Sequence, residues 1–206
     1  MFNGQIRPLR PAEMDPDPIQ QFSCWLREAE QANVRQPEAM TLATADSNKR
    51  PAARMVLLRG VDERGFVFFT NYQSHKGRDL QDNAKAALVF WWQPLSRQVR
   101  VEGTVEFVAG IESDHYFARR PRGHQISAHA SPQSQVIQDR LFLEKQVERI
   151  THQFAEGPVP RPGHWGGYRV IPDLLEFWQE AEHRAHDRLC YQRDDLEGWR
   201  LERLAP

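Results

Sequence analysis

The chain has 206 residues, and its 27 Lys and Arg against 28 Asp and Glu leave a net charge of about −1. This balance argues against a general nucleic-acid or membrane-surface protein, which would usually be more basic. No apolar run approaches the roughly 18 residues of a membrane span, and the N-terminus lacks an apolar signal core. Cys24 and Cys190 are far apart and form no CxxC pair, which predicts a reduced cytoplasmic protein.

The N-terminal half of the chain predicts one helix followed by hairpin strands. Residues 1–16 contain three prolines and are expected to be irregular. Asp17-Pro18 is typical of a helix start, and the apolar spacing that follows predicts a helix over 18–33. Apolar runs between turn signals predict strands over 39–46, 53–61, 66–71, 86–92 and 97–108, with a short helix over 74–83.

The C-terminal half mixes helices, a polar loop and further strands. Helices are predicted over 111–119 and 135–154, and the segment 124–135 is polar and loop-rich at its end. A proline-rich connection over 158–170 leads into another strand. The remaining predicted strands cover 174–179, 184–191 and 198–203.

The order of these elements predicts the fold class. The strands come as hairpins and do not alternate with long helices, which favours an antiparallel barrel with helices packed outside. The chain contains neither GxGxxG nor GxxxxGK[ST]. We therefore predict a mainly β chain with flanking helices (α+β), in which residues 1–16 form a flexible segment and 17–206 form a single domain.

The segment EHRAHDRLCY, residues 182–191, concentrates Arg184, His186 and Arg188. On a helix, Arg184 and Arg188 would share a face and His186 would point elsewhere. On a strand, side chains alternate with period two, so all three would point the same way. The antiparallel fold favours the strand, and a row of cationic donors there suits a phosphorylated ligand.

Three other basic stretches carry possible binding chemistry. Arg54 and Arg59 bracket an apolar strand, Lys76 lies in the first turn of a predicted helix, and YFARRPRGH covers 116–124. A helix N-terminus with a nearby lysine binds phosphate well, although each stretch alone could be merely solvated. The histidines lack ligand spacing, so no metal is expected, and no GxSxG motif supports a hydrolase.

The motifs RMVLL, TNYQSHKG, RQVRVEG, SPQS, WGGYR, EFWQ, RxHDR and the terminal RLAP occur in this order along the chain. Together they resemble the pyridoxine/pyridoxamine 5'-phosphate oxidase family of FMN enzymes over about residues 17–206. The resemblance implies a homodimer of FMN-binding split β-barrels with FMN in clefts at the dimer interface. It also implies hydride transfer from substrate to flavin, followed by electron transfer to O2 that gives hydrogen peroxide.

The resemblance also assigns site residues. The implied FMN contacts are Arg54, Met55, Val56, Leu57, Phe69, Thr70, His75, Lys76, Gln98, Gln133, Ser134, Trp178 and Arg188. The implied substrate contacts are Arg59, Tyr116, Arg120, His124, Arg184 and His186. Arg184 and His186 are also the catalytic candidates, because they are placed to assist the proton transfers.

Four departures from the family pattern lie on the substrate side. The family usually has lysine at Arg59, serine at His124 and leucine at Ala185, and its N-terminal Arg-x-x-Tyr motif has only MFNG opposite it here. Two of them, the smaller Ala185 and the missing N-terminal motif, suit a larger pocket, as in the phenazine-biosynthesis branch, which oxidises reduced tricyclic carboxylates.

Three functions therefore stay open. The first is a vitamin B6 phosphate oxidase that makes pyridoxal 5'-phosphate, and the second is a phenazine-type oxidase. The third is a split-barrel protein that binds flavin without turnover, although Arg184 and His186 argue against it. The expected partners are a second copy of the chain, a small anionic substrate and O2, with no nucleic acid and no membrane.

Overall fold

The computed structural model describes residues 7–194 and 198–206. The helices in these ranges are α1 (Pro18–Gln31), α2 (His75–Asp82), α3 (Gly110–Ala118), α4 (Arg122–Ala130) and α5 (Arg140–Gln153). The strands are β1 (Ala39–Ala45), β2 (Pro51–Leu57), β3 (Gly60–Asp62), β4 (Gly65–Asn71), β5 (Lys85–Trp92), β6 (Arg97–Phe107), β7 (Trp165–Gln179), β8 (Asp187–Asp194) and β9 (Gly198–Arg203).

The strands form one curled antiparallel sheet. Its order is β2-β1-β5-β6-β7-β4-β3, with β8 added to β7 and β9 added to β8. The long strand β7 pairs with β6 on one side, and on the other side with β4 through its first half and with β8 through its second half. The predicted split antiparallel barrel with flanking helices is confirmed.

The change of partner along β7 coincides with a β-bulge. The register between β6 and β7 shifts at Glu102/Gly103, opposite Pro172, and bulges bend strands and increase their twist. A Cβ on Gly103 would lie 2.0 Å from the Ile171 carbonyl oxygen, so the two backbones approach this closely only because a glycine stands there.

Helix α1 covers one open side of the barrel core. Its first turn is capped by Asp17, whose side chain accepts a hydrogen bond from the Ile19 amide. The ring of Phe22 packs 4.8 Å from Phe66 and 4.9 Å from Phe90, measured between centroids. The predicted amphipathic helix is therefore confirmed, and its buried face completes the hydrophobic core.

Helices α3, α4 and α5 build a second, smaller core on the outside of the barrel. Phe117, Ile126 and Ile150 pack there with Trp165, the first residue of β7. This packing fixes the C-terminal end of α3 beside β4 and β7, so the basic stretch after Tyr116 is held against the barrel wall.

Several predicted boundaries are wrong. The predicted strand over 53–61 is two strands, because β2 ends at Leu57 and β3 begins at Gly60. Part of the polar segment 124–135 belongs to α4, and the helix predicted over 135–154 begins only at Arg140, after the N-cap Asp139. The strand after the proline-rich connection and the one predicted over 174–179 are both parts of β7.

The strand predicted over 184–191 begins only at Asp187. Residues 182–184 form a 3-10 turn in which His183 and Arg184 have positive φ angles of 55° and 60°, and the Ala185 amide donates to the Glu182 carbonyl. Left-handed residues cannot continue a β ladder. The interpretation that Arg184, His186 and Arg188 share one strand face is therefore wrong.

Residues 7–16 contact the barrel near β7 and β8. Leu9 is buried, its amide donates to Asp187, and its carbonyl accepts from Arg203. The carbonyl of Arg7 accepts from Gln179. These contacts hold the part of the expected flexible segment that the structure describes, while the domain boundary at residue 16 stays a prediction. No helix in the described ranges is both long enough and apolar enough to cross a membrane.

Candidate functional site

A cavity of about 720 Å³ opens between β2, the end of β4, the start of α2 and the connection between α3 and α4. Its cationic side chains come from four different elements or loops, and no Asp or Glu lines it among the described residues. The lining residues named from the sequence are Arg54, Met55, Val56, Leu57, Arg59, Phe69, Thr70, Lys76, Tyr116, Arg120, His124 and Gln133.

Strand β2 forms one wall of the cavity. It pairs only with β1 in the described sheet, so it is an edge strand. Edge strands present a row of unpaired backbone N–H and C=O groups. Such a row can bond a planar heterocycle whose rim alternates acceptors and donors. The side chain of Met55 is 63% exposed, which leaves apolar surface available on the same strand.

Arg54 is held at the cavity by a buried polar group behind it. Its Nη1 donates to the Thr44 hydroxyl at 2.7 Å, and its Nη2 lies 3.6 Å from the Asp79 carboxylate. Asp79 is 3% exposed and also accepts from Thr44 at 2.6 Å. Burial lowers the pKa of Arg54, and Asp79 partly opposes this shift. The guanidinium is thus fixed in place in the cavity wall.

Lys76 lies in the first turn of α2, where Ser74 caps the helix by accepting from the Gly77 amide. A Cβ at Gly77 would lie 2.1 Å from the Tyr72 carbonyl oxygen, so glycine allows this turn to pack tightly. The Lys76 Nζ donates to Thr70 at 3.2 Å and to Gln133 at 3.3 Å. Burial, followed by the nearby Arg54 charge, lowers its pKa to about 8.

Arg120 lies at the other end of the cavity. Its guanidinium stacks over the Trp165 ring at 4.5 Å from the centroid, and its buried Nη1 has no hydrogen-bond partner among the described residues. Burial lowers its pKa, and the like charge of Arg59 adds to this shift. A buried unpaired donor is costly, so this end of the cavity is built to receive an acceptor from a ligand.

Stacked aromatic rings also line the cavity. Phe69 and Tyr116 stack at 3.9 Å with planes 5° apart, and Phe69 lies 5.6 Å from Trp165 with planes 11° apart. All three residues line the cavity, so the stack contributes apolar surface to its wall. A flat ligand with an anionic group at one or both ends matches this arrangement.

A second group of predicted residues lies on neighbouring strands outside the cavity lining. Gln98 on β6 pairs in register with Trp178 on β7, which pairs with Arg188 on β8. Trp91 on β5 pairs with Gln98, contacts Trp178 edge to face and is 50% exposed. We refer to Trp91, Gln98, Trp178 and Arg188 as the strand cluster. These side chains present a mixed aromatic and polar face.

His186 and Arg184 lie beside the strand cluster. The His186 ring packs 4.7 Å from Trp178, and its Nδ1 accepts from the Ala181 amide at 3.2 Å. In the neutral ring this bond leaves the proton on Nε2, which can donate to a ligand. Arg184 is exposed on the 3-10 turn. Neither residue lines the 720 Å³ cavity of the single chain.

Arg188 is held by a buried acid. Its Nε and Nη2 donate to the two Glu176 carboxylate oxygens at 2.7 and 3.1 Å, and Nη1 donates to the Ala205 carbonyl at 2.9 Å. The hydrogen bond to Glu176 raises the pKa of Arg188. Three of its N–H groups therefore already have protein partners, and Glu176 fixes where the others point.

His75 and Ser134 flank the cavity without lining it. His75 Nε2 lies 3.4 Å from Asp79, and Ser134 follows Gln133 with a φ of 68°.

The sequence analysis missed Asp79 and Glu176, which position Arg54 and Arg188. A charged residue among apolar neighbours in a predicted strand was the signal for Glu176. The lining residues it also missed are Asn71, Arg119, Pro121, Ser127, Ala128, Ser131 and Trp165.

The fold and the cavity define a split-barrel protein with a binding site for a flat anionic ligand. Residues 26–154 match the family model described as pyridoxamine 5'-phosphate oxidase, and residues 165–206 match the model of the pyridoxine 5'-phosphate oxidase C-terminal dimerisation region. The chain belongs to the pyridoxamine 5'-phosphate oxidase family of FMN-dependent oxidoreductases.

Curated relatives agree with this membership. The chain is 54% identical over 197 residues to a pyridoxine/pyridoxamine 5'-phosphate oxidase of Burkholderia thailandensis, covering 95% of this chain and 92% of the relative. It is 53% identical over 194 residues to the protein of that name from Acaryochloris marina, covering 94% of this chain and 88% of the relative.

Solved structures give the same fold. PhzG from Burkholderia lata, solved with tetrahydrophenazine-1-carboxylic acid, superposes with a TM-score of 0.91 at 31% identity, covering 98% of this chain and all of that one. An FMN-binding protein of Nostoc punctiforme, related to pyridoxamine 5'-phosphate oxidase, superposes with a TM-score of 0.73 at 16% identity, covering 94% of this chain and 100% of that one. The second likeness concerns the fold alone.

Proposed function

We propose that this chain is an FMN-dependent oxidase that converts pyridoxine or pyridoxamine 5'-phosphate to pyridoxal 5'-phosphate. The observation that carries the proposal is the unpartnered, buried Nη1 of Arg120 at one end of a cavity that no described carboxylate lines. Because the other end has its own cation pair, Arg54 and Lys76, the cavity can hold two anionic groups, one from FMN and one from substrate.

The cavity residues fit FMN at the end near α2. Arg54 and Lys76 would bond the FMN phosphate, and the start of α2 adds its own N–H groups. The unpaired edge of β2, from Met55 to Leu57, would meet the rim of the ring system. Gln133 would hold Lys76 in place through its 3.3 Å bond.

A second copy of the chain would complete the site. The strand cluster carries FMN contacts expected from the sequence but lies outside the cavity lining of its own chain. The match to a dimerisation region covers β7 to β9, where Trp178 and Arg188 lie. We propose a homodimer in which the strand cluster of one protomer faces the cavity of its partner.

The substrate would bind at the end of the cavity near α3. Arg59, Tyr116, Arg120 and His124 line this end and would hold the substrate phosphate. Arg184 and His186, the catalytic candidates, would come from the partner with the strand cluster. The exposed Arg184 would supply positive charge. Because His186 Nδ1 accepts a hydrogen bond from the Ala181 amide, the Nε2 proton of His186 would be available to the substrate.

FMN, when bound, supplies the redox chemistry, accepting a hydride from the substrate and passing the electrons to O2 to give hydrogen peroxide. The protein then contributes orientation and charge. The two cationic ends fix the phosphate groups, and the stacked Phe69 and Tyr116 limit water on one side. His186 would hold or deliver a proton at the substrate heteroatom.

The free thiols of Cys24 and Cys190 support a cytoplasmic location.

A phenazine-type oxidase is the second candidate. PhzG, whose structure holds a tetrahydrophenazine carboxylate, superposes closely on this chain, and Ala185 leaves room for a larger substrate. The vitamin B6 function is better supported, because identity rises from 31% with PhzG to 54% with the curated oxidase. A non-catalytic flavin protein is the third candidate, and Arg184 and His186 argue against it, because a protein that only binds flavin needs no substrate contacts.

Anaerobic flavin reduction distinguishes the three candidates. The purified protein is reconstituted with FMN, and its absorbance is followed while single substrates are added without O2. We expect pyridoxine 5'-phosphate and pyridoxamine 5'-phosphate to bleach the flavin and to yield the aldehyde, because the substrate end is built for an anion. Unphosphorylated pyridoxine is the matched control and should bleach the flavin far more slowly.

Two other outcomes would overturn this assignment. Bleaching by dihydrophenazine carboxylates alone would support the PhzG-like reaction. Retention of flavin that neither substrate class reduces would support the binding protein.

A further inference from the structure

We propose that Arg119 is a further specificity residue, which attracts and holds a dianionic phosphate monoester at the mouth of the substrate end. The inference rests on the proposed function and extends it to a residue outside the family-derived set of contacts. Arg119 ends α3 beside Arg120, and it lines the same cavity.

Exposure separates Arg119 from its neighbour Arg120. Arg120 lies deeper, with its guanidinium over Trp165 and its Nη1 buried. Arg119 is exposed, so its guanidinium remains hydrated at the cavity rim. The C-terminal end of a helix favours a cation, which lowers the cost of keeping this charge there. A cation at a rim acts mainly on approaching ligands, whereas a buried one acts on the bound state.

Charge balance indicates what kind of anion this end selects. Arg59, Arg119 and Arg120 bring three guanidinium groups to a cavity that no carboxylate lines among the described residues. The other end carries Arg54 and Lys76 with Asp79 directly behind them. A phosphate monoester carries a charge of about −1.5 to −2 at pH 7. The charges of Arg59 and Arg120 would together match that of the phosphate. Arg119 adds a further positive charge, which attracts a phosphate monoester while it is still at a distance from the cavity.

A single carboxylate would gain less from this arrangement. It carries one charge, so its Coulomb attraction to Arg119 is about half that of a doubly charged phosphate monoester at the same distance. The three-arginine end therefore favours a phosphorylated substrate over a monocarboxylate of similar size. Long-range attraction of this kind weakens with salt, because the Debye length falls from about 10 Å at 0.1 M to about 3 Å at 1 M.

The test compares Arg119→Ala with wild type as FMN-loaded protein. We expect kcat/KM for pyridoxine 5'-phosphate to fall about three- to tenfold at low ionic strength, with kcat nearly unchanged. The difference should shrink in 0.5 M salt, and unphosphorylated pyridoxine should respond little. Calorimetric binding of inorganic phosphate to the FMN-loaded protein should weaken by a similar factor. Arg119→Lys should keep most of both properties because it keeps the charge.

Arg149→Ala is the matched control, since it removes one exposed arginine that contacts only Gln146 among the described side chains. If Arg119→Ala and Arg149→Ala have the same kcat/KM and the same phosphate affinity, Arg119 has no such role. Failure of the proposed function has a different signature. In that case no phosphorylated substrate would reduce the wild-type flavin, while the loss of phosphate affinity in Arg119→Ala would still support an anion-binding role.

Discussion

Arg54→Ala is expected to weaken FMN binding about a hundredfold. A charge-assisted hydrogen bond contributes about 1.5–3 kcal/mol, and 1.4 kcal/mol corresponds to about tenfold in affinity. The substitution also removes the cation that faces the buried Asp79, whose negative charge would then repel the phosphate. The quenching of FMN fluorescence during titration of apoprotein gives the dissociation constant directly.

Arg50→Ala is the matched control for this measurement. Arg50 precedes β2 on an exposed hairpin, where its guanidinium pairs with Asp46 outside the cavity. It should leave FMN affinity unchanged, whereas riboflavin, which lacks the phosphate, should bind wild type and Arg54→Ala alike. Equal FMN affinity of Arg54→Ala and Arg50→Ala would contradict the placement of the flavin phosphate.

Arg120→Ala is expected to lower kcat/KM for pyridoxine 5'-phosphate about a hundredfold without weakening FMN binding. The guanidinium is desolvated and rigidly stacked on Trp165, so its bond to the substrate phosphate would be strong. Removing it also relieves the repulsion with Arg59, so the fold should not be destabilised through charge. Stopped-flow flavin reduction at varied substrate concentration gives the binding and chemical steps separately.

Arg120→Lys serves as the control for Arg120→Ala. Lysine keeps the charge but loses the planar fork and its stacking on Trp165, so an intermediate loss is expected. A parallel loss of FMN affinity in Arg120→Ala would mean that Arg120 binds the cofactor. An unchanged kcat/KM would mean that the substrate phosphate does not bind at this end of the cavity.

Much of the fold could be predicted because local patterns agree with the tertiary structure. The N-cap and the apolar spacing predicted the first residue of α1 correctly and its last residue to within two positions. The alternation along β6 and the unbroken apolar run of β5 predicted the bounds of both strands to within one residue. Hairpin spacing then favoured the antiparallel sheet over a parallel one, because short connections cannot carry a crossover.

The errors occur where one backbone conformation breaks an otherwise regular pattern. His183 and Arg184 adopt left-handed φ angles that no side-chain pattern predicts, since arginine is uncommon in that region and two consecutive non-glycine residues there are rarer still. The length of β7 was missed because Pro172 resembles a strand end, whereas the bulge at Gly103 lets the strand continue past it.

The candidate site was predictable in composition but not in arrangement. Family motifs identified the cations, yet Arg54 and Gln98 belong to two separate surfaces of one chain. Sequence spacing cannot show this, because the separation depends on the curl of the sheet. The buried partners Asp79 and Glu176 were missed for a related reason, as their importance comes from burial behind a cation.

Mixed dimers test most directly whether the cavity of one protomer and the strand cluster of its partner form one FMN site. Arg54→Ala and Trp178→Ala chains with different affinity tags are coexpressed, and the heterodimer is isolated. One of its two sites would carry both substitutions and the other neither. The account predicts one FMN site of wild-type affinity per heterodimer, with weak binding by both parent homodimers. A heterodimer that binds FMN no better than its parents would contradict the account.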